Sequence, residues 1–389
     1  MTTTRIWPDF RLLRRRYPIF SERAYFATHC LGPVLDETLS DLDEYRRTIG
    51  LRHRAIGPWL ERVDEMRRLL AVLVGADADE IALGPNATAC QANLAAALSP
   101  SPSRDTILTT RLDFPSSRYL WHAQERRGFS VRTIAADGLS MPAEALVHAI
   151  GEHVAVVAVS LVAYTNGALL DAKAVIDAAH AAGALVVLDA YQAAGIVPID
   201  VRALGVDALV AGTHKWLGAA STGLAFLYVR RELAETLEPA YPGWFSHGTP
   251  LDFSDRYAPA AGARRFEQGS PAVEAVYAAR AGIRFALEMG VDTLRERSFE
   301  LSDRLLVGAD ALDLPVLTPR DRSARAGVVC LDVPDPERTV LDLRARGVDV
   351  DTRPGTGIRL SAHPCNDEDD CDRALIELAG ILPRYATAG

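Results

Sequence analysis

The feature that most constrains the fold is a set of short apolar runs in the middle third of the chain. "HVAVVAVSLV" (153–162), "ALVVLDA" (184–190) and "VDALVAG" (206–212) are each of strand length, and none alternates apolar with polar residues. Successive side chains of a strand point to opposite faces, so a strand with one face in water alternates, and a continuous run belongs to a strand covered on both faces. Between the first two runs, "DAKAVIDAAHAAG" (171–183) has apolar residues at helical spacing and a closing glycine. Strand, helix and strand in this order predict a parallel sheet with helices on both faces. "GLAFLYVRREL" (223–233) reads as a further strand entered through a turn. "ADEIALGPNATACQANLAAAL" reads as a short strand, a Gly-Pro-Asn turn and a helix starting near Ala87. "SPAVEAVYAARAGIRFALEMG" (270–290) reads as a long helix behind a Ser-Pro start signal. After it, "RAGVVCLDVP", "LRARGVDVDTR" and "GIRLSAHPCN" suggest a smaller α/β domain. This divides the chain into an N-terminal arm (1–25) packing with the small domain, a large domain (26–269), and a linking helix with a small C-terminal domain (270–389).

Composition narrows the function classes. At 389 residues, 49% hydrophobic and 24% charged, the chain has the make-up of a globular protein with a large core. Its net charge of −9 argues against general nucleic-acid affinity. No apolar run is long enough to span a bilayer, and the basic start "MTTTRIWPDFRLLRRRYPIF" lacks the apolar core of a signal peptide. The five cysteines form no C-x-x-C, which fits reduced thiols and a cytoplasmic location better than a disulfide framework or a metal site.

Of 42 Lys and Arg, only Lys173 and Lys215 are lysines. Lys173 lies on the solvent side of an amphipathic helix pattern. Lys215 follows an apolar run and precedes Trp216-Leu217-Gly218, where arginine would carry the same charge. A lysine amine at a partly dry site can lose its proton and attack a carbonyl, which arginine cannot. In doubly wound sheets ligands bind at the carboxyl ends of the strands, and Asp189, Gln192 and Lys215 all stand at such ends. A carboxylate at Asp189 can hold a pyridine nitrogen protonated, and the helix start at Ala87-Thr88 offers free N–H groups and a hydroxyl to a phosphate. Aldehyde, ring nitrogen and phosphate together point to pyridoxal 5'-phosphate. Taken singly, an Asp at a strand end also serves as a cap, and "GPNAT" also serves only to start a helix.

The chain resembles the class V aminotransferase family of fold-type I pyridoxal phosphate enzymes, in its kynureninase-like and cysteine-conjugate C–S lyase-like branch. The resemblance rests on "AYFATHCLGP", "HRAIGPWLE", "DFPSSRYLW", "LDAYQAAG", "GTHKWLG", "PGWFSHGTP", "RRFEQGSPAV" and "GIRLSAHPCN", in family order over most of the chain. It implies a mostly parallel seven-stranded sheet in the large domain. It also implies that Lys215 forms the imine with the cofactor, that Asp189 pairs with the ring nitrogen, and that Gln192 meets the ring oxygen. Phe114 would stack on the ring, while Ala87, Thr88 and His214 would contact the phosphate. Trp244 and Ser270 would reach a phosphate from the second subunit of a homodimer. Arg359 would clamp the substrate carboxylate. His29, His53, Tyr164, Asn166 and His247 are candidates for the substrate pocket or for core and surface roles.

Three departures from the kynureninase pattern point away from aryl-ketone hydrolysis. His214 stands where a tyrosine precedes the lysine, Gly269-Ser270 stands where an asparagine is found, and His29-Cys30-Leu31-Gly32 replaces "N-S-L-G". No cysteine lies in "VDVDTRPGTGIR" ahead of Arg359, which points away from desulfurase chemistry. The expectation is a β-eliminating C–S lyase acting on an L-α-amino acid. Transamination, with decarboxylating or epimerising variants, is the runner-up, and kynureninase-type hydrolysis and a cofactor-binding regulator are further alternatives. Neither nucleic acid, membrane nor metal is an expected partner.

Overall fold

A computed structural model describes residues 7–136 and 138–382. Residues 1–6 of the expected arm and 383–389 of the expected small domain lie outside the described residues.

The apolar runs are the strands Val154–Ser160, Leu185–Asp189 and Ala208–Gly212, side by side in the middle of a seven-stranded sheet. From one edge to the other the strands are Ile81–Gly84, Ala225–Val229, Ala208–Gly212, Leu185–Asp189, Val154–Ser160, Thr106–Thr110 and Ser130–Ile134. Ala225–Val229 runs antiparallel to both neighbours, and every other pairing is parallel. The continuous apolar character has the expected cause. Val157, Val159, Val186, Leu188 and Leu209 enter one apolar core, while Val156, Ala158, Val187, Ala208 and Val210 enter a second core on the opposite face. Each central strand therefore faces helices on both sides, which is why polar alternation is missing.

Local signals place the helix starts. Asn86 caps the helix Ala87–Ala97 by accepting from the Ala89 N–H at 2.8 Å. Asp171 caps Ala172–Ala181 in the same way through the Ala174 N–H. The long helix read behind Ser270 runs Val273–Met289 and packs Val276, Ala279, Ile283 and Phe285 into the core of the large sheet. Gly290, at φ 76°, then turns the chain into a separate helix, Val291–Ala311.

A smaller body follows. Its sheet orders Asp351–Thr352, Ile358–Leu360 and Val329–Leu331 antiparallel, and its apolar core also takes in Ala24 and Phe26. The N-terminal segment joins it directly. Ala24–Tyr25 pairs in parallel with Val348–Asp349, and Arg14 donates to Asp370. These contacts bring "AYFATHCLGP" against the edge of the large sheet, where the candidate site lies.

Candidate active site

Ser160, Asp189 and Gly212 end neighbouring parallel strands. The segments that follow carry Tyr164, Gln192 and Lys215 over the same sheet edge. The first turn of Ala87–Ala97 and Phe114, at the head of the helix Pro115–His122, close the other side. Together they line a cavity of about 240 Å³, bordered by Ala87, Thr88, Phe114, Asp189, Gln192 and Lys215. The lysine segment is buttressed from the N-terminal side. Gly32 donates its N–H to the His214 carbonyl at 2.7 Å, and a Cβ on Gly32 would collide with the Lys215 carbonyl, so the "LGP" turn needs glycine for this close approach.

Lys215 Nζ sits 4.6 Å from the Tyr191 ring centroid and 5.8 Å from that of Phe114. Among the described residues no carboxylate lies within ion-pair distance of it. Burial pushes the ammonium pKa down to about 8, an effect the Asp189 charge only partly offsets and Arg359 adds to. Near neutral pH an appreciable fraction of the amine is therefore unprotonated. Lys173 is the opposite case, exposed and held 2.6 Å from Asp177.

Asp189 accepts from the Ser117 hydroxyl at 2.9 Å, from the Tyr191 N–H at 3.0 Å and from Gln91 at 3.4 Å. Burial raises its pKa, and these donors together with Lys215 pull the other way. A cationic N–H in the cavity would relieve that cost. The remaining chemistry of the cavity matches pyridoxal phosphate group by group. Lys215 offers an amine to the aldehyde and Asp189 an acceptor to the pyridinium. Gln192 donates to the His29 carbonyl at 3.1 Å, and among the described residues its buried Oε1 has no hydrogen-bond partner, nor has Gln91 Oε1. The helix start leaves first-turn N–H groups beside Thr88 for a phosphate. His214, also at the cavity, has its pKa pushed down to about 4, first by burial and then by Lys215, so it is a neutral imidazole.

Arg359 lies outside this cavity and is 2% exposed. Its Nε and Nη2 donate to the two oxygens of Asp351 at 2.8 and 2.7 Å, and Nη1 donates to the Tyr164 carbonyl. Most of the guanidinium expected to clamp a substrate carboxylate is thus already engaged, and one hydrogen each on Nη1 and Nη2 remains. Asp351 also takes His29 Nε2 at 2.7 Å and Arg353 Nη1 at 3.0 Å. Burial raises the Asp351 pKa, but the His29 and Arg359 hydrogen bonds more than reverse it, so the carboxyl stays well below the usual range. His29 is buried, bonded also to Ser361 at 2.6 Å, and pushed down to about 4 by burial.

Other expected site residues fall elsewhere. Tyr164 is at the cavity, packed edge-on against Phe114 with centroids 5.2 Å apart. Asn166 is not at the cavity, because its amide is used by the Leu139 and Leu317 carbonyls and the Ala168 N–H. His247 braces its own loop, accepting from the Thr249 N–H at 3.0 Å, and His53 is exposed. Trp244 and Ser270 are exposed and do not line the cavity in this chain. Ser270 instead borders a separate cavity of about 210 Å³ beside Gly84, Cys90 and Asn93. Four residues carry the geometry without having been singled out in the sequence: Ser117, Tyr191, Asp351 and Arg353. Ser117 and Tyr191 lie inside the motifs "DFPSSRYLW" and "LDAYQAAG", so nearness to Phe114 and Asp189 was the available signal, whereas nothing local marks Asp351 or Arg353.

The family model for aminotransferase class V matches residues 31–367. The chain is 32% identical over 320 residues to a protein named uncharacterized aminotransferase YcbU from Bacillus subtilis strain 168, covering 82% of this chain and 84% of that one. It is 29% identical over 329 residues to a kynureninase from Deinococcus radiodurans, covering 83% of this chain and 79% of that one. The solved apo structure of a cysteine desulfurase from Thermococcus onnurineus NA1 superposes with a TM-score of 0.86 at 24% identity. It covers 99% of this chain and 100% of that one, and so shares the fold.

Proposed function

The chain belongs to the class V aminotransferase family of pyridoxal-phosphate-dependent enzymes, and on that premise we propose that it breaks the bond from Cβ to a heteroatom in an L-α-amino acid, foremost the C–S bond of a cysteine-derived substrate. The observation that supports this reading is the set of groups around Lys215. His214 is pushed down to about 4 and Tyr191 is pushed well above the usual phenol range, chiefly by burial, so one is a neutral base and the other a very weak acid. Neither is suited to protonate a departing carbanion near neutral pH. A thiolate needs no such acid, since a thiol's own pKa of about 8.5 makes it a stable leaving group.

When bound, the cofactor supplies the electron sink that makes the substrate α-proton removable. Lys215 would hold the cofactor and, as a free amine, would take the substrate α-proton. Asp189 would pair with the ring nitrogen, and Gln192 would meet the ring oxygen. Phe114 and Tyr164 form one wall, and Ala87, Thr88 and His214 would bind the phosphate. The carboxylate is received by the hydrogens of Arg359 that Asp351 and Tyr164 leave unused, with His29 holding Asp351 in place. Loss of the α-proton and of the C–S bond with its electron pair on sulfur would leave a fragment whose hydrolysis gives pyruvate and ammonia.

Transamination is the second reading. It uses the same residues, with Lys215 returning the proton to the cofactor side, and the similarity to YcbU favours it. We also propose a homodimer in which the partner subunit's exposed segments around Trp244 and Ser270 reach the phosphate. The exposed Trp244, Leu251 and Phe253 would be covered by that contact.

The test is a screen of cysteine S-conjugates, kynurenine and common amino acids with the purified protein. Pyruvate and ammonia from the conjugates support elimination. A keto acid with the aminated cofactor assigns transamination instead, and rapid release of alanine with anthranilate would overturn the proposal in favour of hydrolysis.

A further inference from the structure

We propose that Arg353 selects the substrate: its open guanidinium edge takes an acid group carried on the β-substituent, while Arg359 takes the α-carboxylate. The inference rests on the reading that an amino acid is held over Lys215 with its α-carboxylate at Arg359, and it adds the chemical class of the substituent.

Arg353 stands on a fixed turn. It follows the strand Asp351–Thr352, in which Asp351 lies opposite Arg359 in the antiparallel register. Its N–H donates to the Thr356 hydroxyl oxygen at 3.0 Å, and that hydroxyl donates back to the Arg353 carbonyl at 2.9 Å. Thr356 is fully buried. Gly357, at φ 60°, closes the turn where a Cβ would collide with the Leu331 carbonyl. The fold therefore presents this arginine in one place.

Its side chain is only partly used. Nη1 donates to the Thr352 carbonyl at 2.6 Å and meets the Asp351 carboxylate at 3.0 Å. Among the described residues no oxygen accepts from Nε or Nη2, and Nη2 faces the Cys30 sulfur at 3.9 Å. Nε and Nη2 form the edge through which Arg359 grips Asp351. In Arg353 the same two parallel donors are open, and such an edge matches a carboxylate in shape and charge. Asp351 does not fill it, because that one carboxylate is shared between two guanidiniums and its other neighbour, His29, is neutral.

Position separates the two arginines. The Arg359 side chain is 3% exposed and bonds the carbonyl of Tyr164, a cavity residue, whereas the Arg353 side chain is 43% exposed. Burial chiefly lowers the Lys215 pKa, and both guanidiniums add to it, Arg359 more than Arg353. Arg359 is thus the inner cation and Arg353 the outer one. Arg353 meets the site across Cys30, on the turn whose His29 carbonyl takes Gln192 and whose Gly32 N–H meets the His214 carbonyl. The α-carboxylate is attached to the reacting carbon and falls to the inner arginine. A β-substituent extends farther, toward the opening, and its acid falls to the outer one.

The test uses S-carboxymethyl-L-cysteine and S-carbamoylmethyl-L-cysteine, which have the same shape and differ in the charge of the substituent. The cofactor-loaded, full-length protein is mixed rapidly with each, and dissociation constants are read from the change in cofactor absorbance. The wild type should bind the acid about tenfold more tightly than the amide. The preference should shrink at high salt, because the outer guanidinium is partly in water. Arg353→Gln should bring the ratio close to one, and Arg353→Lys, which keeps the charge without the fork, should leave an intermediate ratio. A wild type without preference would overturn the inference. So would a preference that survives Arg353→Gln because both conjugates weaken equally, since Arg353 would then act on the α-carboxylate. Pyruvate in the same samples reports on the reaction alone. An acid preference without pyruvate keeps the inference and removes elimination, pyruvate without an acid preference does the reverse, and binding of neither conjugate overturns both.

Discussion

Asp189 and Asp351 are two partly buried carboxylates on opposite sides of the site, and their surroundings push them in opposite directions. Asp189 closes a strand of the large sheet, faces an open cavity, and is raised by burial because its donors are few and neutral. Asp351 lies in the small body and accepts from His29, Arg353 and Arg359, so its carboxyl is driven down. The first keeps unfilled capacity, as do the Gln91 and Gln192 oxygens and the Lys215 amine. The second is saturated. A group meant to meet a ligand is left with a cost the ligand relieves, whereas a group meant to hold a shape has its partners in place before anything binds.

The strongest way to break this contrast is to remove the least satisfied group. Lys215→Arg retains a cation but no nucleophile, and activity should fall by on the order of 10³-fold or more. Borohydride reduction of the wild-type enzyme followed by peptide mapping should find the cofactor on Lys215. Label on Lys173, which is paired with Asp177, would refute the assignment. Asp189→Asn comes next. The amide keeps the shape but cannot pair with a cationic ring nitrogen, so the cofactor should remain bound while turnover drops on the order of 10²-fold. Near-normal turnover would remove Asp189 from the chemistry.

On the saturated side the effects should appear in stability first. Asp351→Ala leaves the buried Arg359 guanidinium uncompensated, at a cost of about 3 kcal/mol in denaturant unfolding. A loss no larger than that of an exposed acid such as Asp313 would show that the cluster is not structural. Smaller still is the contribution of His29. Its folded pKa, pushed to about 4, lies below the ordinary 6.5, so unfolding takes up a proton in the interval between the two. Stability from this group is full above about pH 6.5 and falls as pH drops toward 4. His363, pushed to about 3 by burial, acts with the same sign. The unfolding midpoint should decline over that interval, and His29→Asn should flatten the decline without abolishing it. An unchanged slope would mean that His29 is not neutral in the fold.

The open side of the site was largely legible in the sequence and the saturated side was not. Lys215, Asp189, Gln192, Phe114 and Ala87-Thr88 follow strands or start helices, and local pattern fixes where such positions point. The apolar runs likewise announced the central strands, because double-sided burial removes alternation. Asp351 and Arg359 are eight residues apart and pair across an antiparallel register, while His29 arrives from more than three hundred residues away. No local pattern records those meetings. Asn166 was misleading for a related reason. A polar residue beside Tyr164 suggests a pocket, but its amide closes a turn and ties it to two distant carbonyls. The packing of Tyr191 is not marked locally, because its ring lies against His214, which arrives from the end of another strand.

The smallest expected effect concerns Cys30, which lies between the two regions. Cys90, Cys330, Cys365 and Cys371 are buried, and burial pushes each thiol up to about 12. Cys30 alone of the five is partly exposed, with its Sγ 3.9 Å from Arg353 Nη2. It is therefore the one thiol placed to meet a sulfur-containing substrate. Two chemistries separate at this residue. If sulfur were passed to the protein as a persulfide, a thiolate nucleophile would be indispensable, and Cys30 would have to be that thiolate. If sulfur leaves with its own substituent, the C–S bond breaks toward the leaving group and no protein thiol takes part. Serine keeps the size and polarity of the side chain, so the elimination reading expects Cys30→Ser to hold kcat/KM within about twofold of wild type. Loss of activity together with a one-sulfur mass increase on wild-type Cys30 after turnover would instead place this cysteine in the reaction and move the enzyme to sulfur transfer.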